Sequence, residues 1–275
     1  MIELPESKTL TIQINDTVKG KTIRNVTANK SPHKFAWFTG DPENYHSLLS
    51  GKSVLFAAAY GGMVEIQAED VRLAFFDGTN VRYYSADEEL PQKHQLHLEF
   101  EDSSSLVCSV QMYGGLLALG EGQTETYNEI ARSKPDPLSG EFSQEYFRSL
   151  LGDRDMKLSA KAFLATKQRI PGLGNGVLQD ILFNARVHPK RKMNTLSDSE
   201  LDALFNSVKD TLFEMTVKGG RDTERDLFGC CGGYKTILSA KSAGRPCPVC
   251  GSIIVREAYL GGNIYYCPKC QKPES

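Results

Sequence analysis

Two Cys-x-x-Cys pairs, Cys247–Cys250 and Cys267–Cys270, stand sixteen residues apart near the C-terminus. Each pair brackets a tight turn that aims two sulfurs at one centre, and two such turns close a tetrahedron around a zinc ion. Pro248 and Pro268 stiffen the turns, and Gly251 follows the first pair. With thiolates at all four positions no place remains for water, so the expected cofactor is one structural Zn2+ per chain. The intervening "SIIVREAYLGGNIYY" reads as a β-hairpin turning at Gly261–Gly262. A clamped hairpin of this kind serves either as a nucleic-acid finger or as a protein-binding ribbon, and spacing does not choose between them.

The other cysteines add no framework. Cys108 is solitary, and Cys230 and Cys231 are adjacent, a geometry that disfavours a mutual disulfide. Metal-type rather than disulfide-type cysteine usage suits a reducing compartment. No apolar run approaches the roughly 20 residues needed to span a bilayer. No basic segment followed by an apolar stretch opens the chain. The expectation is a cytoplasmic protein without a membrane partner.

The net charge of −2 conceals an asymmetry: residues 151–275 carry 19 Lys+Arg against 13 Asp+Glu, whereas residues 1–150 carry 13 against 21. The C-terminal half can present a basic face while the total stays acidic. A merely solvated surface explains the same numbers equally well.

The pattern along the chain predicts an α+β fold. "SKTLTIQINDTVKG" places Leu10, Ile14 and Val18 at helical spacing, and short apolar runs separated by Gly, Asp-Gly and Ser-rich turns then read as strands. In "HQLHLEF", Leu96, Leu98 and Phe100 share the parity of a strand with one buried face. "SKPDPLSGEF" interrupts this pattern, and helical periodicity follows it, including a capping box at Ser197 and Glu200. The expected organisation is an N-terminal β-sandwich domain with a leading helix (1–131), a linker (132–142), a helical domain (143–240) and a zinc-finger hairpin (241–275).

"SAKAFLATKQRIPGLGNGVLQDILFNARVHP" reads as a helix to Gln168, a Gly-Pro loop and a second helix from Asn175 or Gly176. A helix N-terminus preceded by glycines exposes unpaired N–H groups suited to a phosphate. Gly172 and Gly174 would admit a DNA backbone, with Lys167 and Arg169 just before them and Lys190, Arg191 and Lys192 after the second helix.

These segments resemble the formamidopyrimidine-DNA glycosylase and endonuclease VIII family. "IPGLGN" with "DILFNARVHP" is similar to its helix-two-turn-helix motif, "KPDPLS" to its interdomain linker, "CPVCG…YYCPKCQ" to its zinc finger and "ELPE" to its N-terminal signature. The resemblance implies a β-sandwich and a helical domain with double-stranded DNA, damaged or abasic, held between them by a monomer. It also implies that Asn175 grips a phosphate beside the lesion, that Glu3 transfers protons, and that Met112 and Tyr113 stand where the family carries a wedge inserted into the duplex.

In the family an N-terminal proline amine attacks C1′ of the damaged nucleotide, and elimination then breaks the strand. Here that position is Ile2, a side chain too bulky for ordinary removal of Met1. Gly62 stands where the family has a phosphate-binding lysine, Gly262 where its finger has an arginine, and Asp180 where its second helix has a glutamate. A displacement of 1 Å at a reacting centre costs on the order of 100-fold. The expected function is therefore a base-excision DNA-repair protein that binds lesions with catalysis weakened or lost. The alternatives are an active glycosylase and abasic-site lyase using the Met1 amine or another nucleophile, and a zinc-ribbon protein-interaction module. Glu3 has a bland alternative as well, as a cap on the first helix.

Overall fold

A computed structural model describes residues 1–273. Helix α1 (Leu4–Val18) opens with Pro5 in its first turn and with the Glu6 carboxylate accepting the Glu3 N–H at 3.2 Å. Its Leu10, Ile14 and Val18 are buried against the sheet, as their spacing predicts.

The sheet is assembled from β1 (Ile23–Ala28), β2 (Ala36–Phe38), β3 (Val54–Tyr60), β4 (Met63–Ala68), β5 (Val71–Tyr84), β6 (Leu96–Phe100) and β7 (Ser105–Leu119), with helix α2 (Tyr45–Leu49) between β2 and β3. Among the described residues it is one seven-stranded sheet of order β1-β6-β7-β5-β4-β3, antiparallel except where β2 joins β7 in parallel. Strands β5 and β7 pair over nearly their whole length, with a register shift between Asp77 and Thr79. Leu73, Phe75, Leu116 and Ala118 face the core shared with α1. Ala74, Phe76, Leu117 and Leu119 face a second core, closed by Ala131 and Tyr127 of helix α3 (Thr126–Ser133). Burial of both faces makes these strands read as unbroken apolar runs rather than alternating ones. The sequence did not reveal α3, which lies where strand and linker were expected; Glu125 caps it by accepting the N–H groups of Tyr127 and Asn128.

Helices α4 (Gln144–Ser149), α5 (Ala160–Ala165), α6 (Val177–Asn184) and α7 (Asp198–Val217) form the helical half. Their core includes Phe147, Phe163, Ile181 and Leu204, and Leu4 of α1 belongs to it, pinning the N-terminus to this half. The capping box of α7 forms as expected. Helix α5 stops at Ala165, short of the expected Gln168, because Lys167 and Gln168 take left-handed φ values of 57° and 46°.

Strands β8 (Val255–Tyr259) and β9 (Gly262–Tyr266) form the terminal hairpin. Tyr259 pairs with Gly262, so the turn is Leu260–Gly261, one residue earlier than the sequence suggested. Both turn residues have positive φ, 47° and 70°, as a two-residue hairpin turn requires. Ile254 and Tyr265 pack with Phe183 of α6, and the Gln271 amide donates to the Val187 carbonyl at 3.0 Å, seating the hairpin on the helical half. The fold is α+β, and no helix among the described residues is long and apolar enough to cross a membrane.

Candidate functional site

The chain's first residues lie across the seam between sheet and helices. Ile2 N–H donates to Asp77 O at 2.7 Å, and Leu4 N–H donates to Gly172 O at 2.9 Å. A cleft opens at this seam, bounded by Met1 and Glu3, by Met112 and Tyr113 of β7, and by Asn175 and the hairpin tip. Ile2 itself is buried in the sheet core. The Met1 ammonium is paired with the Glu224 carboxylate at 2.5 Å.

Glu3 is buried, and its carboxylate leaves its own helix for another. It accepts the N–H groups of Gly176 at 2.8 Å and Val177 at 2.7 Å, and Arg221 approaches it at 3.2 Å. The N-terminus of α6, which the sequence suggested as a phosphate site, thus holds an internal carboxylate: its first amides satisfy Glu3 and are not open to solvent. Glu3 is the N-cap residue of α1, in a capping box with Glu6, and its carboxylate reaches on to cap α6 as well. Burial pushes the Glu3 carboxyl above its ordinary range, against the downward pull of Arg221 and of the two backbone donors.

Arg221 carries most of this seam and was not singled out from sequence. It is buried, donates to both Glu6 oxygens at 3.0 and 2.8 Å, and has Glu224 at 3.9 Å. Three carboxylates around one guanidinium hold that cation charged. Removing one partner of such a buried set costs about 3–5 kcal/mol, since an unpaired charge remains behind.

The glycines of the loop are explained by these contacts. A Cβ on Gly174 would lie 2.5 Å from Glu3 Oε1, and one on Gly172 would lie 2.5 Å from the backbone of Gly61 and Gly62. On the sheet side, a Cβ at Gly61 would lie 2.5 Å from Pro171, and one at Gly62 would lie 3.1 Å from Ile2 O and 3.2 Å from Gly172 Cα. The Gly61–Gly62 backbone and the Glu3 carboxylate thus pack against one side of Gly172 and Gly174, which also line the cleft. Gly62 thus packs at the contact between the sheet and the helical half.

Asn175 lines the cleft and donates to Asn263 O of the hairpin at 3.1 Å, and Gln179 receives the Tyr265 N–H at 3.0 Å. Lys161, also missed in the sequence, is buried at the cleft wall and donates to Tyr259 O at 2.6 Å; burial lowers its pKa. A Cβ at Gly262 would meet Asn175 Nδ2 and Lys161 Nζ at ordinary contact, 3.5 Å. Lys167 is exposed beyond α5. Arg169 is turned away, its guanidinium on Asp155 at 2.7 Å and on Thr166 O at 3.0 Å. Met112 and Tyr113 are 66% and 37% exposed at the rim. Asp180 is buried and accepts the N–H groups of Ile237 and Leu238 at 2.9 and 2.7 Å, tying α6 to the segment before the hairpin.

The four terminal thiols converge, with Cys247–Cys270 at 3.9 Å, Cys250–Cys267 at 3.4 Å and all sulfurs within 4.8 Å of one another. Zinc–sulfur bonds of about 2.3 Å place the sulfurs of a tetrahedral site roughly 3.8 Å apart, so this set fits zinc. Cys230 and Cys231 lie exposed in the 221–231 loop, away from this cluster.

Comparison with known proteins places this geometry among relatives. The family model described as "Formamidopyrimidine-DNA glycosylase H2TH domain" matches residues 134–226. A formamidopyrimidine-DNA glycosylase of Lactobacillus delbrueckii subsp. bulgaricus is 28% identical over 282 residues, covering 99% of this chain and 100% of the relative. One from Brevibacillus brevis is 27% identical, with 99% of each chain covered. Among solved structures, the MutM (Fpg) protein of Thermus thermophilus superposes with a TM-score of 0.81 at 25% identity, covering 99% of both chains. Lactococcus lactis Fpg, in a complex with an abasic-site-containing DNA, gives a TM-score of 0.83 at 22% identity, covering 98% of this chain and 99% of that one.

Proposed function

Because the chain belongs to the formamidopyrimidine-DNA glycosylase and endonuclease VIII family, we propose that it is a DNA-repair protein that holds damaged or abasic duplex DNA in the cleft, with base release and strand cleavage weakened or lost. The observation that carries this reading is the pairing of the Met1 amine with Glu224. Imine formation at C1′ needs an amine free to approach the sugar, and this one is engaged by the Glu224 carboxylate while Ile2 stands at the family's proline position. Glu3, the family's proton carrier, is committed to α6 and Arg221. A side chain at Gly62, where the family's sheet hairpin has a lysine, would press on Ile2 O and Gly172 Cα at 3.1 and 3.2 Å. What supports binding is the cleft itself, with Asn175 on one wall and exposed Met112 and Tyr113 at its rim.

Cys247, Cys250, Cys267 and Cys270 would hold a structural zinc, which supplies no chemistry to the cleft but fixes the hairpin carrying Asn263 against Asn175. A monomer acting on DNA within the cytoplasm is the working assembly. Asn175, Gly172, Gly174 and Lys167 form the proposed DNA-facing surface, whereas Arg169 acts through the loop that it braces on Asp155.

A second reading, cleavage by another amine, is favoured by Lys161, a buried amine on the cleft wall with no ion-pair partner among the described residues. Borohydride reduction on abasic-site DNA tests both. The first reading expects no covalent adduct but binding that weakens steeply with salt. An adduct mapped to Lys161 establishes the second, and binding indifferent to salt removes DNA from the account.

A further inference from the structure

Strand β2 is three residues long and lies parallel to β7, with Trp37 opposite Gly115. Phe38 turns into the sheet core against Tyr45, ring centroids 5.7 Å apart. The two-residue period of a strand then sends Phe35 and Trp37 together to the opposite side, where they are 49% and 50% exposed. The Trp37 ring lies 6.1 Å from that of Tyr113. Tyr113 and Met112 line the cleft, so an aromatic surface starts at the cleft rim and runs outward over β2. It is fixed to the sheet rather than carried on a free loop, since Gly114 N–H donates to Phe35 O at 3.0 Å. Lys34 Nζ sits 5.3 Å from the centre of the Phe35 ring, and Lys30 is exposed nearby in chain; neither has an ion-pair partner among the described residues.

We infer that Phe35, Trp37 and Tyr113 form a stacking platform for the unpaired bases of a DNA strand leaving the cleft, so that the favoured substrate carries a gap or single-stranded arm beside the bound site. The inference rests on the DNA-binding reading above and adds the substrate class to it. Exposed aromatic faces accept any base by its π-surface, and neighbouring unpaired cations follow the phosphates between successive bases. A fully paired duplex presents no free base faces to such a surface. An apolar protein partner would gain nothing from Lys30 and Lys34, whereas a polyanion would.

Trp37 is the chain's single tryptophan, so its emission reports on this surface alone. The zinc-loaded full chain is titrated with two unlabelled oligonucleotides, a paired duplex and the same duplex with a three-nucleotide gap, while labelled copies report binding by anisotropy. The gapped DNA is expected to quench Trp37 as it binds, and the paired duplex to bind without quenching. W37A is expected to weaken gapped-DNA binding about five- to hundredfold, with W37F largely restoring it and duplex affinity changing less than about twofold. Unchanged melting temperatures of both variants exclude a folding defect. Binding of gapped DNA without quenching, or equal losses for both DNAs in W37A, overturns the platform while leaving the DNA-binding reading standing. Absence of anisotropy change with either DNA overturns both.

Discussion

The Met1 ammonium and the Glu224 carboxylate meet at 2.5 Å, joining the first residue of the chain to a loop more than two hundred residues later. The pair is one edge of a cluster in which Glu3, Glu6 and Glu224 surround Arg221. In Glu224→Gln the amine loses its charged partner. Partly exposed pairs are worth no more than about 1 kcal/mol, so the released amine should become trappable, and a reduced N-terminal adduct on abasic-site DNA, absent in the wild type, should appear in the variant. Peptide mass mapping of the reduced adduct measures it.

Glu3 and Arg221 are predicted to act on stability as a unit. Glu3→Gln should destabilise the fold by about 2–4 kcal/mol, through the charge left on Arg221 and the weakened cap on α6. Arg221→Met should cost a similar amount, and the double variant much less than the sum. Urea unfolding of the four proteins gives the coupling directly. Additive losses would separate the two residues.

Glycines on the two sides of the cleft, Gly61 and Gly62 on the sheet and Gly262 on the hairpin, should respond oppositely to substitution. Gly61→Ala or Gly62→Lys forces a side chain onto Pro171, Gly172 or Ile2. Each should cost about 2–3 kcal/mol with no gain in DNA affinity. Gly262→Arg meets only ordinary contacts and adds a cation to the cleft. Its duplex binding should tighten and its log–log salt slope steepen by about 0.9. Fluorescence anisotropy across a salt series distinguishes these outcomes.

Burial raises the Asp180 carboxyl to about 6. A carboxyl raised on folding favours the native state fully below its unfolded range near 4, and this contribution is lost as pH climbs through 6. Between pH 5 and 7 the wild type should therefore lose about 1 kcal/mol more unfolding free energy than Asp180→Asn. Parallel urea melts at the two pH values provide the check.

Metal analysis should find one zinc per chain, absent in Cys250→Ser. Chelation should release the hairpin from α6, breaking the Asn175–Asn263 contact, and lower DNA affinity by roughly tenfold or more while the sheet keeps its far-ultraviolet spectrum. Affinity indifferent to chelation would detach the hairpin from the binding surface.

Local signals in the sequence determine several elements of this protein independently of its fold. Two Cys-x-x-Cys turns can meet only around one centre, helical spacing in α1 fixes which of its residues are buried, and the Ser197–Glu200 box fixes where α7 begins. Each of these depends on residues a few positions apart, which is the range over which sequence spacing carries geometry. Helix α3 and the one-residue shift of the hairpin turn escaped because a short amphipathic helix and a Leu-Gly left-handed turn carry weak local marks.

The cleft was settled by distance in space alone. Glu3 meets Gly176, Arg221 meets Glu6, Met1 meets Glu224 and Gly62 meets Gly172, all across separations that no spacing rule spans. Sequence resemblance could only set Gly62 against a family lysine and Ile2 against a family proline. Only the packed structure could show that Gly61 and Gly62 meet Pro171 and Gly172 there, because that contact required two halves of the chain, each folded on its own core, to come together.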